Sequence, residues 1–557
     1  MDQQSIPGAP FEPGMKPTPT SPTTSEFATK TCPTGSDALS PSPAPLAQLP
    51  QQLAHSLSSP IEAQNRPLVL ASSTLADLPE EILIDIFFLL INHAGLGSPL
   101  ERPFDKTVHS AYKQLFILIG VCSGWRRICL SRGAFWSLIS ARKHWKVPES
   151  IIDLCLERVK DSDLHLDAEL YDAPNDRLLE IITKYGPRVR TLNLSGETPE
   201  ALRNTVSSLL EQSRPGFIPS LFLRNDQVTL DNDSHHTWPL LFPLASPEHT
   251  LFAGFADSLS ALRLRGFNLG WRHTEFSKLV ELKLHHICFH KLSEIADLMH
   301  AIASAPILRR LQLIDLRCHL DDVHTLQIDQ HGNFPPLHPT LQFLFLKNIR
   351  WGLLLLILRS IIPGSYKTVV SYSRKIFLER YSTDLTLLKE SVLQSFNIDT
   401  LMVSRNWVQY SDFIPCLLRA MPTIKGLCIA HCEFTEKTFK GLTCPLSPST
   451  DGGNAGPATI RRLHILGSTF ELSDLEGLKE VVTSHGIQEL KLGGSVDRLK
   501  SDPEHIPTLE HPIRFEDPND DEHTAPIKEW LRSAVPKFDL VERLEDLPDI
   551  DFQSYDW

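Results

Sequence analysis

Two groups of histidine and cysteine residues offer the side-chain atoms that zinc binds most often. The first group consists of His285, His286, Cys288 and His290, and the second consists of Cys428, His431, Cys432 and Cys444. Successive side chains of a strand point to opposite faces, so we expect the first group to diverge. The second group lacks a second close cysteine pair. We therefore predict no metal site and no cofactor.

Catalytic motifs are equally sparse. The sequence contains no glycine-rich phosphate-binding loop, no nucleophile elbow and no paired catalytic motif. The chain is therefore expected not to be an enzyme. A hydrolase or transferase built on an α/β domain is therefore a weaker hypothesis than a protein-binding function.

The composition of the chain excludes further classes of function. The chain has 557 residues, of which 41% are hydrophobic, and this length accommodates two or three domains. Its formal net charge of −13 argues against general binding to nucleic acid or to an anionic membrane. The 10 cysteines, without an apolar signal sequence at the N-terminus, indicate reduced thiols in the cytoplasm or nucleus. The most apolar run, 353–362, is too short to span a bilayer.

A stretch from Leu75 to Trp145 has the pattern of short helices. Ile82, Ile86, Phe87 and Leu90 recur at helical spacing, and they predict a helix with one apolar stripe. Its start is signalled by Asp77 as N-cap, by Glu80 three residues later and by Pro79 in the first turn.

The second half of this stretch is similar. Val121, Trp125, Ile128 and Cys129 fall on one helical face, and Gly133 is a natural helix stop before Phe135 and Trp136. About 70 residues cannot bury this many large apolar side chains by themselves. Surplus apolar surface on a small helical module indicates a binding partner.

The series Leu78-Pro79-Glu80-Glu81-Ile82, Ile86-Phe87, Val121-Cys122-x-x-Trp125-Arg126-x-Ile128 and Trp136 resembles the F-box of fungal proteins. The resemblance implies a trihelical module that docks on the Skp-type adaptor of a cullin–RING ubiquitin ligase. The implied adaptor-binding residues are Leu78, Pro79, Ile82, Ile86, Phe87, Leu90, Val121, Cys122, Trp125, Ile128 and Trp136. An insert from Asn92 to Ser110 departs from the common pattern. The alternative is that these side chains simply form a core.

Beyond this module a six-residue pattern recurs. It consists of an apolar residue, two other residues, a leucine, one other residue and a second apolar residue. Its central leucines are Leu192, Leu221, Leu262, Leu282, Leu311, Leu344, Leu401, Leu427, Leu463 and Leu490. Amphipathic helices are predicted between them at 294–304, 385–396, 413–420 and 472–483. The combination resembles a leucine-rich-repeat-like solenoid, and a generic α/β domain is the alternative.

The predicted fold is therefore mainly α with an α/β solenoid. Its parts are a disordered tail rich in Pro, Ser and Thr (1–74), a trihelical F-box-like domain (75–145) with an inserted loop (92–110), an irregular leucine-rich-repeat-like domain (146–496) and an acidic C-terminal tail (497–557). A helix at 526–535 is expected to cap the last repeat.

The predicted function is that of a substrate-recognition subunit of a cullin–RING ligase, and the alternative is a repeat scaffold without a ligase. Residues beside each central leucine share one face of the strands. On that face Phe343, Phe345, Met402 and Cys428 are the candidate target-binding residues. The opposing interpretation is that the segment 351–380 folds over these four and buries them.

Overall fold

The fold is taken from a computed structural model of the chain. It describes residues 78–92, 104–142, 149–171, 176–212, 218–226, 239–318, 335–337, 340–349, 351–362, 366–373, 396–404, 414, 417–418, 421, 423–443, 459–471, 474–497, 513–515 and 521–541. The predicted N-terminal tail, the N-cap Asp77 and all but the last residue of the predicted helix at 385–396 lie outside these ranges.

Three helices come first: α1 (Glu80–Asn92), α2 (Phe104–Val121) and α3 (Ser123–Ser131), followed by a 3-10 turn at Gly133–Trp136. Helix α1 begins two residues later than Asp77 as N-cap predicts, and the carbonyl of Pro79 accepts a hydrogen bond from the amide of Leu83 at 3.2 Å. The predicted inserted loop is wrong from residue 104 onward, because 104–110 forms the start of α2. The predicted helix through Val121 is broken at Cys122, whose Sγ accepts from the amide of Trp125.

The rest of the described chain is dominated by strands. They are β1 (Leu138–Ala141), β2 (Leu164–Leu170), β3 (Val189–Gly196), β4 (Ser220–Asn225), β5 (Ala261–Arg265), β6 (Glu281–His285), β7 (Cys288–Phe289), β8 (Arg310–Ile314), β9 (Arg317–Cys318), β10 (Phe343–Lys347), β11 (Lys367–Ser373), β12 (Thr400–Ser404), β13 (Gly426–Ala430), β14 (Glu433–Phe434), β15 (Arg462–Glu471), β16 (Glu489–Asp497), β17 (Ile513–Arg514) and β18 (Lys537–Leu540).

These strands form one 16-stranded sheet and a separate pair, β7 with β9. Apart from that pair and the short β14, successive strands are neighbours in chain order from β1 to β16, and they pair in parallel. Among the described strands, only β17 pairs antiparallel, with β16. The central leucines of the repeated pattern align across the sheet, as in Leu192 with Leu221 and Leu463 with Leu490. The strand prediction at these positions is therefore confirmed.

Helices connect the strands. They are α4 (Glu149–Val159), α5 (Asp176–Tyr185), α6 (Pro199–Gln212), α7 (Pro247–Asp257), α8 (Leu292–Ala303), α9 (Trp351–Ser360), α10 (Glu436–Leu442), α11 (Leu475–His485) and α12 (Asp521–Ala534). Parallel neighbours cannot be joined by a tight hairpin, so each pair needs a crossover, which is usually helical.

The sheet has two faces with different surroundings. On what we term the core face, the leucines pack with the buried sides of these helices in one continuous hydrophobic cluster that also includes Phe87 and Trp136. The other face, termed the opposite face, carries charged side chains and a smaller apolar cluster. Among the described residues, no helical side chain belongs to that smaller cluster.

The predicted mainly α fold, a trihelical domain followed by a solenoid, is wrong. The strands instead form a single large parallel sheet in an α/β arrangement, and its first strand, β1, lies within the stretch predicted as the helical domain. The phenolic oxygen of Tyr112 on α2 donates to the carbonyl of Leu138 on β1, so the helices pack directly on the sheet. The repeated pattern also missed β1, β2 and β11. No helix in the described ranges combines the length and the apolar character needed to cross a membrane.

Gly133, in the 3-10 turn after α3, lies close to the end of α4. A Cβ atom at this position would lie 2.2 Å from the carbonyl oxygen of Val159, at the end of α4. We expect Gly133→Ala to lower the free energy of unfolding by about 1–3 kcal/mol, because the backbone must shift to admit the methyl group. Chemical denaturation measures this change.

Gly120 in α2 provides the matched control, since a Cβ there meets nothing within 4 Å. Gly120→Ala should raise stability by roughly 0.5–1 kcal/mol through its helix propensity. Equal stability of the two variants would contradict the close approach at Gly133.

Candidate functional site

Helix α1 is apolar on two sides. Leu83, Phe87 and Ile91 are buried in the core, whereas Ile82 and Leu89 point away from it and are 46% and 50% exposed. A helix with apolar side chains all round is normally buried. Of the eleven exposed large hydrophobic residues in the described chain, seven lie between residues 78 and 121: Leu78, Ile82, Phe88, Leu89, Leu90, Ile117 and Val121. This concentration is what a protein-binding surface requires.

The predicted adaptor-binding residues divide into three groups. Those exposed on the surface are Leu78, Pro79, Ile82, Leu90, Val121 and Cys122. Ile86 and Trp125 are half-buried. Phe87, Ile128 and Trp136 are buried, so in this conformation they contact the core and not a partner.

The buried members hold the helices together. The rings of Phe87 and Trp125 pack with their centroids 4.7 Å apart. The indole nitrogen of Trp136 donates to the carbonyl of Cys129 at 2.9 Å. Trp125 therefore connects α1 and α3 by its packed side, as expected for a structural aromatic residue. Phe88, Leu89 and Ile117 are exposed apolar residues that sequence reasoning missed, although Leu89 continues the helical spacing of Ile82 and Ile86.

The opposite face of strands β4 to β6 is strongly basic. In register across the three strands, Phe222, Arg263 and Lys283 form one row. Arg224, Arg265 and His285 form the next row, two residues further along each strand. These six side chains line an open depression together with Asn193, Leu223 and Leu264. We term this feature the basic depression.

Acidic and aromatic neighbours orient the arginines. Arg263 Nε lies 2.5 Å from a carboxylate oxygen of Glu281, and its guanidinium stacks 4.6 Å from the ring centroid of Phe222. Arg224 Nε lies 2.6 Å from a carboxylate oxygen of Asp226. Arg263 and Lys283 are each only 4% exposed, so their charges lie in a partly desolvated environment. There an ionic contact is stronger than in bulk water.

A buried ion pair adjoins this region on β2. The carboxylate of Asp167 accepts from Arg142 in a two-pronged contact at 2.5 and 2.9 Å. It also accepts from Ser140 at 3.1 Å and from the side-chain amide of Asn193 at 2.7 Å. These contacts compensate for the removal of the carboxylate from water, as a buried charge requires. Its contacts indicate a structural role.

His285 and His286 do not diverge as predicted. Both rings approach the carboxylate of Asp315, the residue after β8, at 3.4 Å and 3.7 Å. The reason is that His286 has left the strand and has a left-handed backbone with φ of 58°, which turns its side chain toward its neighbour. Asp315 and Asn348 have the same backbone at the ends of the next two strands. Within the described residues His285, His286 and Asp315 form the group that could hold a metal ion, because one ligand atom from each lies within 4.8 Å of the other two.

Burial lowers the pKa of His285 to about 3, although the nearby Asp315 carboxylate opposes the shift. Burial tends to raise the pKa of Asp315, but the hydrogen bonds to His285 and Asn348 and the electrostatic interactions with His285 and His286 together outweigh it, and the pKa falls to about 2. At neutral pH the cluster therefore holds a neutral imidazole beside a carboxylate.

The second cysteine and histidine group lies only partly within the described chain. Cys428 and Cys432 are buried, and Cys444 lies outside the described ranges. Burial raises the pKa of the Cys428 thiol well above its usual value. A protonated buried thiol of this kind is not a nucleophile at neutral pH.

The predicted target-binding residues lie together on the opposite face, in the cluster with Val369. Phe345, Met402 and Cys428 are buried, and only Phe343 is half-buried. The alternative that the segment 351–380 folds over them is wrong for its described parts. That segment forms α9 on the core face and strand β11 within the sheet.

Sequence reasoning missed Arg224, Arg265 and Asp315. The first two were detectable, because leucines alternate with other residues in Leu221-Phe222-Leu223-Arg224 and in Leu262-Arg263-Leu264-Arg265, and side chains two positions apart share a face. Asp315 was not detectable, since its contact with His285 depends on the pairing of β6 with β8.

No known family model matches the chain, and none of the curated proteins is significantly similar to it.

The low pKa of His285 predicts a pH-dependent stability. In the unfolded chain a histidine binds a proton near pH 6.5, whereas folded His285 stays neutral down to about 3. The unfolded state therefore binds more protons in this interval, and the stabilisation is complete above about pH 6.5 and is lost progressively as pH falls. We expect His285→Gln to reduce the slope of unfolding free energy against pH by up to about 1.4 kcal/mol per pH unit between roughly pH 6.5 and 4.

Denaturant titrations at several pH values measure this slope. The lower limit of pH 4 keeps the titration of folded Asp315, with its pKa of about 2, outside the interval. An unchanged slope in the variant would show that His285 is not the buried neutral base.

Proposed function

We propose that the chain is a substrate-recognition subunit of a cullin–RING ubiquitin ligase. In this proposal helix α1 docks on a Skp-type adaptor, and the opposite face of the sheet binds the target protein. The proposal places the protein in the cytoplasm or nucleus and assigns it no catalytic residue.

The observation that carries the proposal is the outward apolar side of α1. Ile82 and Leu89 lie on the side of α1 that faces away from Leu83 and Phe87, so the core does not account for them. The helix also contains part of the Leu-Pro-Glu-Glu-Ile series that resembles the F-box, a module that docks by apolar contact. The F-box-like residue pattern and the exposure of Ile82 and Leu89 therefore both favour the outward side of α1 as the docking surface.

The mechanism of such a subunit is proximity. Holding a target beside a ubiquitin-loaded enzyme raises the effective concentration of its lysines, and no side chain of the receptor has to react. A well-packed sheet suits this task, because a rigid receptor holds a bound target in one orientation. The predicted absence of catalytic motifs is compatible with it.

The adaptor contact is tested by Ile82→Ala combined with Leu89→Ala. Loss of two apolar anchors should weaken binding to a purified Skp-type adaptor by at least about tenfold, or ~1.4 kcal/mol. The melting temperature should change little, since both side chains are about half exposed. Binding is measured by calorimetry on the full chain.

Leu251→Ala is the matched control, because Leu251 on α7 is 52% exposed and lies outside the helical module. It should leave adaptor binding unchanged. A folded Ile82/Leu89 variant that binds the adaptor as tightly as the wild type would refute the docking surface.

Affinity capture with mass spectrometry separates the proposal from a scaffold that binds proteins without a ligase. We expect both adaptor and cullin to be captured by the wild type and both to be lost with the Ile82/Leu89 variant. Capture of other partners without adaptor or cullin would favour the scaffold.

A further inference from the structure

Two histidines and an aspartate meet where two neighbouring strands end. His285 is the last residue of β6, His286 follows it directly, and Asp315 follows β8. Strands β6 and β8 pair in parallel, so the turns that leave them lie side by side, about 5 Å apart. The divergence of the histidines, which was the reason to predict no metal site, does not occur in the structure.

The backbone of these turns explains why the side chains meet. His286 and Asp315 have φ angles of 58° and 51°, in the left-handed region. The amide of His286 donates to the carbonyl of Ile314 at 2.9 Å, which fixes the first turn to the strand that precedes Asp315. The corresponding residue after β5 is Gly266, with φ of 74°. Glycine adopts this conformation without cost, whereas a side chain adds free energy, and such costly conformations are concentrated at functional sites.

The distances between the ligand atoms suit a shared metal ion better than direct hydrogen bonds. Nε2 of His285 and Nδ1 of His286 lie 3.4 Å and 3.7 Å from the same atom, Oδ2 of Asp315. A well-formed N–H···O hydrogen bond is about 2.7–3.2 Å long. Two ligands of a tetrahedral zinc ion, each roughly 2.0–2.2 Å from the metal, are about 3.3–3.5 Å apart. The first distance falls in that range and the second lies slightly above it.

The surroundings of the three residues hold them in place. The side chains of His285 and His286 are 5% and 2% exposed, and that of Asp315 is 12% exposed. Asn348, which follows β10, hydrogen-bonds to the Asp315 carboxylate. Metal-binding carboxylates characteristically have such a partner, because it orients the ligand. Asp315 is the most exposed of the three ligands, so an ion enters from its side.

A positive charge nearby limits which metal ion the group can hold. Arg265 on β5 is in register with His285 and opposes any cation beside it. Ions that prefer oxygen ligands, such as Mg²⁺ and Ca²⁺, would find a single carboxylate close to a guanidinium group. Imidazole nitrogen atoms select ions such as Zn²⁺. Two histidines therefore favour zinc where one aspartate would not retain magnesium or calcium.

We propose that His285, His286 and Asp315 bind one zinc ion that joins the end of β6 to the end of β8. Two imidazoles and one carboxylate are ligands that zinc accepts, and a water molecule completes the tetrahedron. Cys288 and His290, which are close in sequence, do not belong to the group. Because the three ligands come together only in the folded chain, the bound ion stabilises the fold.

This inference goes beyond the proposed function and does not depend on it. The three ligands and the outward apolar side of α1 have no residue in common. Zinc binding and adaptor binding can therefore each be lost while the other persists.

The test uses the full chain, freed of metal by a chelator and kept reduced, with zinc as the only added metal. Zinc affinity is measured by competition with a chromophoric chelator at neutral pH. We expect Asp315→Asn to weaken the binding of one zinc ion per chain at least about tenfold. Asparagine tolerates the left-handed backbone, so this variant loses the charged ligand without added strain. Zinc should also raise the melting temperature of the wild type more than that of the variant.

His286→Asn is a second variant that removes a ligand, for use if Asp315→Asn does not fold, and asparagine suits the backbone there as well. His290→Gln is the matched control, because His290 is exposed and lies outside the group. It should bind zinc like the wild type. Equal zinc affinity in the wild type and both ligand variants would overturn the proposal.

Two further outcomes would also count against a zinc site. If magnesium binds the wild type as tightly as zinc, the carboxylate alone attracts the ion and the histidines are not ligands. If zinc neither binds the wild type nor raises its melting temperature, the three side chains form a hydrogen-bonded cluster without a metal.

Discussion

Burial of the leucine-bearing face of the sheet is the interaction on which the rest of the structure depends. Each parallel strand presents alternate side chains to this face, and the aligned leucines, such as Leu192, Leu311 and Leu490, are fully buried. Because parallel neighbours require crossover connections, helices return along the same face and cover it. The opposite face therefore does not have to be apolar. It can carry a row of arginine, lysine and glutamate side chains without loss of the core.

Structural features that depend on residues close together in the sequence could be predicted, and features that depend on long-range strand pairing could not. The strands centred on Leu262 or Leu427 were predictable, because alternation is local and leucine at every second position is conspicuous. Strand β11 was missed since its sequence, Lys-Thr-Val-Val-Ser-Tyr-Ser, has no leucine. The fold class was wrong for a different reason. Nothing local in the helices indicates that β1 pairs with β2 and joins them to the same sheet.

The candidate sites show the same division. The spacing of the apolar residues predicted the apolar stripe on α1. Because α1 has apolar residues on both sides, however, spacing alone does not show which side faces the core. Packing of Phe87 against Trp125 decides that, and it leaves Ile82 outside. Likewise, two adjacent histidines in a strand should diverge. They converge because His286 takes a left-handed backbone and because strand pairing brings Asp315 beside them.

A continuous core also bears on how a receptor of the proposed kind would work. Leu83 on α1 and Leu282 on β6 belong to the same hydrophobic cluster, and Gly133 meets the end of α4 at a distance that excludes even a methyl group. A flexible linker between adaptor and target sites would spread a bound target over a large volume and lower the effective concentration of its lysines. A packed junction avoids that loss, but it restricts ubiquitin transfer to lysines that lie within reach of one fixed geometry. On this argument the junction at Gly133 would influence which lysines are modified.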